Sequence, residues 1–268
     1  MEIFDLHNDI LTSSKNAKQI EKYLKNNQNA TITAALWTSQ LSFDQVKSKI
    51  NEYKSLQNTY PNLRFAIEDF AGAMPIIDEI ANLNPLYISL TWNDENELAG
   101  GAFSYGTLTD LGRKTIKSLN DKNIVIDTAH LNEKSFMEVL NESNKVICSH
   151  TAFSGVFAHN RNLKDYQIRM IIERAGIIGL TAVNDFLSPY KKVTTSDFVR
   201  HIEYFIDRYG DDNLAIGTDF FGTTNMPKGL SKYKSFEGLE KELKKIGYSD
   251  ETIAKIFYKN AKNFFNEV

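Results

Sequence analysis

Eight short apolar runs, separated by helical patterns along 268 residues, constrain the fold of this chain more than any other feature. The runs are IFDLH (3–7), TITAALWT (31–38), LRFAIEDF (63–70), PLYISLTW (85–92), NIVIDTAH (123–130), KVICSHT (145–151), GIIGLTAV (176–183) and LAIGTDFFG (214–222). They are nearly continuous in apolar residues rather than alternating, as strands covered on both faces are. Between them apolar residues recur at spacings of three and four, as in Phe43, Val46, Ile50, Tyr53 and Leu56, or Phe198, Ile202, Phe205 and Ile206. The tail carries Leu239, Leu243 and Ile246, then Ile253, Ile256, Phe257, Phe264 and Phe265, which read as two closing helices. Strand–helix alternation implies an all-parallel sheet, and about 250 residues is the usual size of a closed (β/α)8 TIM barrel. A doubly wound open sheet would carry a glycine-rich phosphate loop after a strand, and none is found. No change of composition marks a second domain, so residues 1–268 are expected to form a single catalytic barrel domain.

Other classes are argued against by simple numbers. A formal charge of -3 and a pI near 6.0 do not suit a nucleic-acid binder. No apolar stretch approaches the roughly 18 residues of a membrane span, and no basic-then-apolar leader precedes the first run. The sole cysteine, Cys148, permits no internal disulfide. These features predict a cytoplasmic protein.

In a barrel of this kind chemistry gathers where strands end. His7 and Asp9 end the first strand, Glu68 the third, His130 the fifth, His150 the sixth and Asp219 the eighth. In a strand, side chains two apart share a face, so His7 and Asp9 can converge on one point. Each residue alone suits a hydrogen-bonded rim position; six potential metal donors on one rim, including three of the five histidines, predict a metal site. Six donors exceed the three protein ligands of a mononuclear catalytic zinc, which suggests two divalent metals with Glu68 bridging them. Such a pair lowers the pKa of a bridging water to roughly 7, and Asp219 is placed to take its proton and return it to a leaving group.

These residues, in their segments, resemble the membrane (renal) dipeptidase family of zinc peptidases within the amidohydrolase superfamily. The likeness runs nearly end to end: DLHND, AIEDF, LTWNDENELAGG, GTLTDLGRKTIKSLNDKNIVIDTAH, ICSHTAFSGVFAHNRNLKD, AIGTDFFG and GYSDETIAKIFYKNAKNFF. The resemblance implies that His7, Asp9 and Glu68 hold one metal, that Glu68, His130 and His150 hold the other, and that Asp219 shuttles the proton. It gives Arg161, in HNRNLKD, the substrate's terminal carboxylate, as a planar guanidinium can bind it bidentately. It also implies dipeptide substrates, among them ones with a C-terminal D-residue, zinc as the metal with Mn, Co or Fe also suited to the donors, and a homodimer.

Three positions depart from the family pattern. Trp92 stands where a substrate-contacting histidine is common, and is assigned to substrate binding on position alone. Val183-Asn184-Asp185-Phe186 replaces a segment with tyrosine, and Phe221 replaces an acidic residue in DFFG. The metal core is thus more firmly implied than the substrate. A binuclear hydrolase of another amide, lactam, lactone or phosphoester is the alternative, and a non-catalytic metal- or ligand-binding barrel ranks below it. Of the remaining polar residues, His159 is expected to orient the Arg161 loop, His201 to be structural, Cys148 to fill the core, Asp127 to support a ligand and Asn260 to anchor the last helix.

Overall fold

In the computed structural model, which describes residues 1–266, the eight runs become eight strands. They are β1 (Ile3–Asn8), β2 (Ala30–Trp37), β3 (Leu63–Glu68), β4 (Tyr87–Ser89), β5 (Val125–Asp127), β6 (Val146–Thr151), β7 (Ile178–Leu180) and β8 (Leu214–Ile216). Hydrogen bonds join them in sequence order into a closed parallel barrel, the expected (β/α)8 fold. Every residue of β1 and of β4 to β8 is buried, which is why their sequences lack alternation.

Four strands are far shorter than their runs of eight or nine residues: β4, β5, β7 and β8 keep three residues each. The chain leaves the sheet before the polar end of the run is reached. His130 and Asp219 therefore stand in turns beyond β5 and β8, as Asp9 stands in the turn after β1, rather than at strand ends, which corrects the sequence expectation. The φ values of His130 and Asp219, 69° and 62°, are left-handed and incompatible with a strand ladder.

By contact density the chain divides into two compact units. The first comprises Met1–Asn8, Lys25–Ile32 and the chain from Ser149 onward. Within it Asp5 pairs in register with Ile216, and Leu180 does the same. The C-terminal helices close it: Phe236 and Phe257 meet edge to face at 5.4 Å, and the Asn260 amide donates to the carbonyls of Asp211 and Leu214 at 2.6 and 2.7 Å. Asn260 thus anchors the last helix, as expected. Gly179 and Gly217 allow β7 and β8 to approach β6 closely, since a Cβ on either would lie 1.9 Å from the Ser149 carbonyl oxygen.

The second unit comprises Asp9–Leu24 and Thr33–Cys148. Its helix Phe43–Gln57 starts with a Ser42–Gln45 capping box and buries Val46, Ile50, Tyr53 and Leu56, the predicted stripe. The helix Asp110–Asp121 has no counterpart among the patterns read from sequence. Of its twelve residues Ile116 and Leu119 are the buried aliphatic ones, too sparse for a visible period, and Thr109 caps it. Among the described residues, no helix is long and apolar enough to cross a membrane.

Candidate metal centre

The donors of the first unit are His7, His150 and Asp219. His7 and His150 are almost wholly buried, and their ring centroids lie 3.8 Å apart. Two imidazolium charges so close and so dry would repel strongly, so the pair cannot carry both charges at once, and a neutral ring offers a lone pair to a cation. Ser149 Oγ holds His150 Nδ1 at 2.8 Å. Asp219 is carried by a turn locked to β1, its N–H donating to the His7 carbonyl at 3.0 Å.

That turn rests on a carboxylate passed over in the sequence. Asp5 is fully buried and accepts from the Thr218 N–H (2.7 Å), the Thr218 hydroxyl (2.6 Å) and the Tyr233 hydroxyl (2.5 Å). Burial pushes its carboxyl pKa up, and these hydrogen bonds oppose the shift. An Asp in an apolar strand is its sequence signal; its partners, 213 and 228 residues away, leave none.

The donors of the second unit are Asp9, Glu68 and His130, all buried. His130 Nε2 lies 2.8 Å from Glu68 Oε1, while its Nδ1 is 2.9 Å from the Asn93 side-chain oxygen. With Nδ1–H donated to Asn93, Nε2 is the nitrogen available to a metal, the arrangement by which outer partners orient a ligand. Asn93, like Asp5, went unnoticed in the sequence. Left-handed backbone also collects here: of the eight non-glycine residues with positive φ among the described residues, Asp69, His130, Asp219 and Phe221 lie next to or among the donors. Such conformations cost on the order of 1–3 kcal/mol each and persist where function requires them.

Within the first unit the His7 and His150 rings face each other beside the turn that carries Asp219, and within the second Glu68 and His130 pair directly. The residues fit a metal site. Imidazoles and carboxylates are borderline-to-hard ligands suited to divalent first-row ions, and a bound cation would compensate the buried carboxylates of Asp9 and Glu68.

Arg161 is 4% exposed. Its Nη2 donates to the His150 carbonyl at 3.4 Å, and its own carbonyl accepts from Thr151 Oγ1 at 2.8 Å. The guanidinium lies 5.3 Å from the Phe186 ring centroid, and Phe186 also stacks on His159 at 4.9 Å. Phe186, standing where the family pattern has its tyrosine, thus packs on Arg161. His159 accepts the Arg161 N–H at 3.2 Å, and burial, then the Arg161 charge, push its pKa down. His159 therefore shapes the loop, as expected. Asp127 accepts the Ala129 N–H at 3.0 Å and shapes the turn that carries His130. Trp92 packs at 4.8 Å on Trp37, another residue without a sequence signal, and at 6.0 Å on the His130 ring.

The structure is similar to a metallopeptidase from Rhodobacter sphaeroides liganded with a phosphinate mimic of the dipeptide L-Ala-D-Ala, with a TM-score of 0.86, 19% identity and 99% of each chain covered. In sequence the chain is 30% identical over 158 residues to an uncharacterized Klebsiella pneumoniae protein of the pqqA 5' region, covering 57% of this chain and 58% of that one. It is 24% identical over 230 residues to an uncharacterized dipeptidase of Schizosaccharomyces pombe, covering 83% and 54% respectively. The chain thus spans little more than half the length of these curated relatives. The family profile described as membrane dipeptidase (peptidase family M19) matches residues 66–268, about three quarters of the sequence. The chain belongs to the membrane dipeptidase family, peptidase family M19.

Proposed function

We propose that the protein is a metal-dependent dipeptidase acting through a pair of divalent ions, zinc foremost. The observation that carries this reading is the close buried Glu68–His130 pair, with the His7–His150 pair in the other unit, in a chain of the membrane dipeptidase family. His7, Asp9 and Glu68 would hold one ion, and Glu68, His130 and His150 the other. Ions bound there supply Lewis acidity and lower the pKa of water to about 7.

The chain's own groups do the rest. Asp219 takes the proton of the attacking water and returns it to the departing amine nitrogen. Its turn is held by the Asp5 network, so its position is set before substrate arrives. Arg161 binds the free carboxylate at the C-terminal end of the dipeptide, stiffened by Phe186 and its own backbone contacts. Trp92 lines the substrate side of His130. The reading treats the chain as one catalytic domain, homodimeric, and places it in the cytoplasm, in keeping with its single buried cysteine.

The test is a panel of dipeptides, including ones with a C-terminal D-residue, given to protein loaded with Zn or Mn. Release of free amino acids is expected; no turnover on any member would overturn the reading. Turnover confined to lactones or phosphoesters would favour the alternative binuclear hydrolase.

A further inference from the structure

Beside the second-unit donors lies a cleft of about 470 Å3 whose walls are unusually one-sided in charge. Asp69, Asp94, Glu95 and Glu97 line it, and no lysine or arginine does. Asp69 is a fixed part of the wall. It is held by the Ser39 hydroxyl and by the Asn96 amide at 2.7 Å. The other three carboxylates are exposed, and no hydrogen bond or ion pair engages them among the described residues.

The remaining wall is aromatic. Trp37 and Trp92, the only two tryptophans of the chain, line the same cleft with centroids 4.8 Å apart. Trp92 reaches from this pair to the His130 ring at 6.0 Å, so the cleft opens beside a metal donor. Its acidic lip is ordered: the Asn96 side-chain oxygen accepts from the N–H groups of Leu98 and Ala99, and the Asn93 carbonyl accepts from Phe103. A preformed pocket of indole rings and uncompensated carboxylates is chemistry that recognises a cation attached to an apolar stem.

We propose that this cleft is a specificity subsite for the positively charged side chain of the substrate's N-terminal residue, lysine or arginine. The proposal rests on the dipeptidase reading, in which Arg161 takes the C-terminal carboxylate and the reacting carbonyl sits at the metal donors. Trp92 lies 6.0 Å from the His130 ring, so a long side chain on the residue held at His130 passes the tryptophan to the carboxylates. The stem packs on Trp92 and Trp37, while Asp94, Glu95 and Glu97 surround the charge.

Lysyl-alanine and norleucyl-alanine differ chiefly in that charge, and the metal-loaded full chain is assayed on both. The KM for lysyl-alanine is expected to be about tenfold lower, the scale of one partly desolvated cation–π contact with its counter-charges. The triple variant Asp94→Asn, Glu95→Gln, Glu97→Gln should lose that preference while still cleaving norleucyl-alanine. Because both tryptophans line the cleft, intrinsic fluorescence reports binding independently of hydrolysis. Lysyl-alanine should shift it at concentrations where norleucyl-alanine does not, and the triple variant should abolish the difference. Equal KM values on two cleaved substrates, or a preference for glutamyl-alanine, would overturn the subsite. If neither dipeptide is cleaved, the dipeptidase reading falls, and the fluorescence titration still decides whether the cleft binds a cation: an identical response to the two dipeptides would refute it.

Discussion

His201 offers a quantitative check on how the Arg161 loop is held. It is fully buried in the helix Thr195–Tyr209. Its Nδ1 accepts the Phe153 N–H at 3.2 Å, and its Nε2 lies 3.0 Å from the Leu187 carbonyl, which requires Nε2–H and a neutral ring. Phe153 begins the connection that runs to Arg161, and Phe153 bridges back to Leu163. Burial is the largest influence on this imidazole and lowers its pKa from 6.5 to about 4. Because the folded pKa lies below the unfolded one, the stabilisation is complete above pH 6.5 and is lost as pH falls towards 4. At about 1.4 kcal/mol per unit, the loss from this one group is about 3 kcal/mol. Urea unfolding of the wild-type protein and of His201→Gln, measured from pH 7.5 to 4.5, isolates it. The variant should be less stable by about 1–3 kcal/mol near neutrality, where two buried backbone groups lose their fitted partner. The gap should close with acidification, because the variant lacks the titrating group. Two profiles running parallel across the range would refute the argument.

Three further outcomes follow from contacts elsewhere. Gly217→Ala would put a Cβ 1.9 Å from the Ser149 carbonyl, and should cost at least several-fold in metal affinity by moving His150, or prevent folding, as read by metal titration and circular dichroism. Asn260→Ala leaves one buried and one part-buried carbonyl without their amide donor and should lower stability by about 1–3 kcal/mol in urea with kcat unaltered. Arg161→Ala should raise KM for dipeptides roughly 10- to 100-fold with a smaller effect on kcat, as loss of a charge-assisted carboxylate contact does; an unchanged KM would point to substrates without a free carboxylate.

The barrel was legible because buried parallel strands must be apolar on both faces, so β1 to β8 advertised themselves as runs. The candidate donors stood out because rim positions of such strands have no structural need for histidine and carboxylate together. His7, Glu68 and His150 lie within their strands, where run and strand end nearly coincide. Asp9, His130 and Asp219 were read as strand-end residues and lie in turns; for His130 and Asp219 nothing in local composition announces a left-handed φ outside glycine and asparagine. Asp5, Asn93 and Trp37 escaped notice because their roles arise from partners distant in sequence: Tyr233 for Asp5, His130 for Asn93, Trp92 for Trp37. The helix Asp110–Asp121 was missed for another reason, its apolar face being completed by Thr115 and Gly112, which carry no hydrophobic signal.

The account turns on whether these donors hold hydrolytically competent metal, and one preparation can test this. Bound metal is counted by elemental analysis, and L-Ala-D-Ala hydrolysis is followed on the same sample, with Glu68→Gln alongside. About two divalent ions per chain and turnover are expected in the wild type, with metal and turnover both reduced in the variant. A wild-type protein that takes up no metal on incubation, or binds it fully and cleaves no dipeptide, would contradict the account.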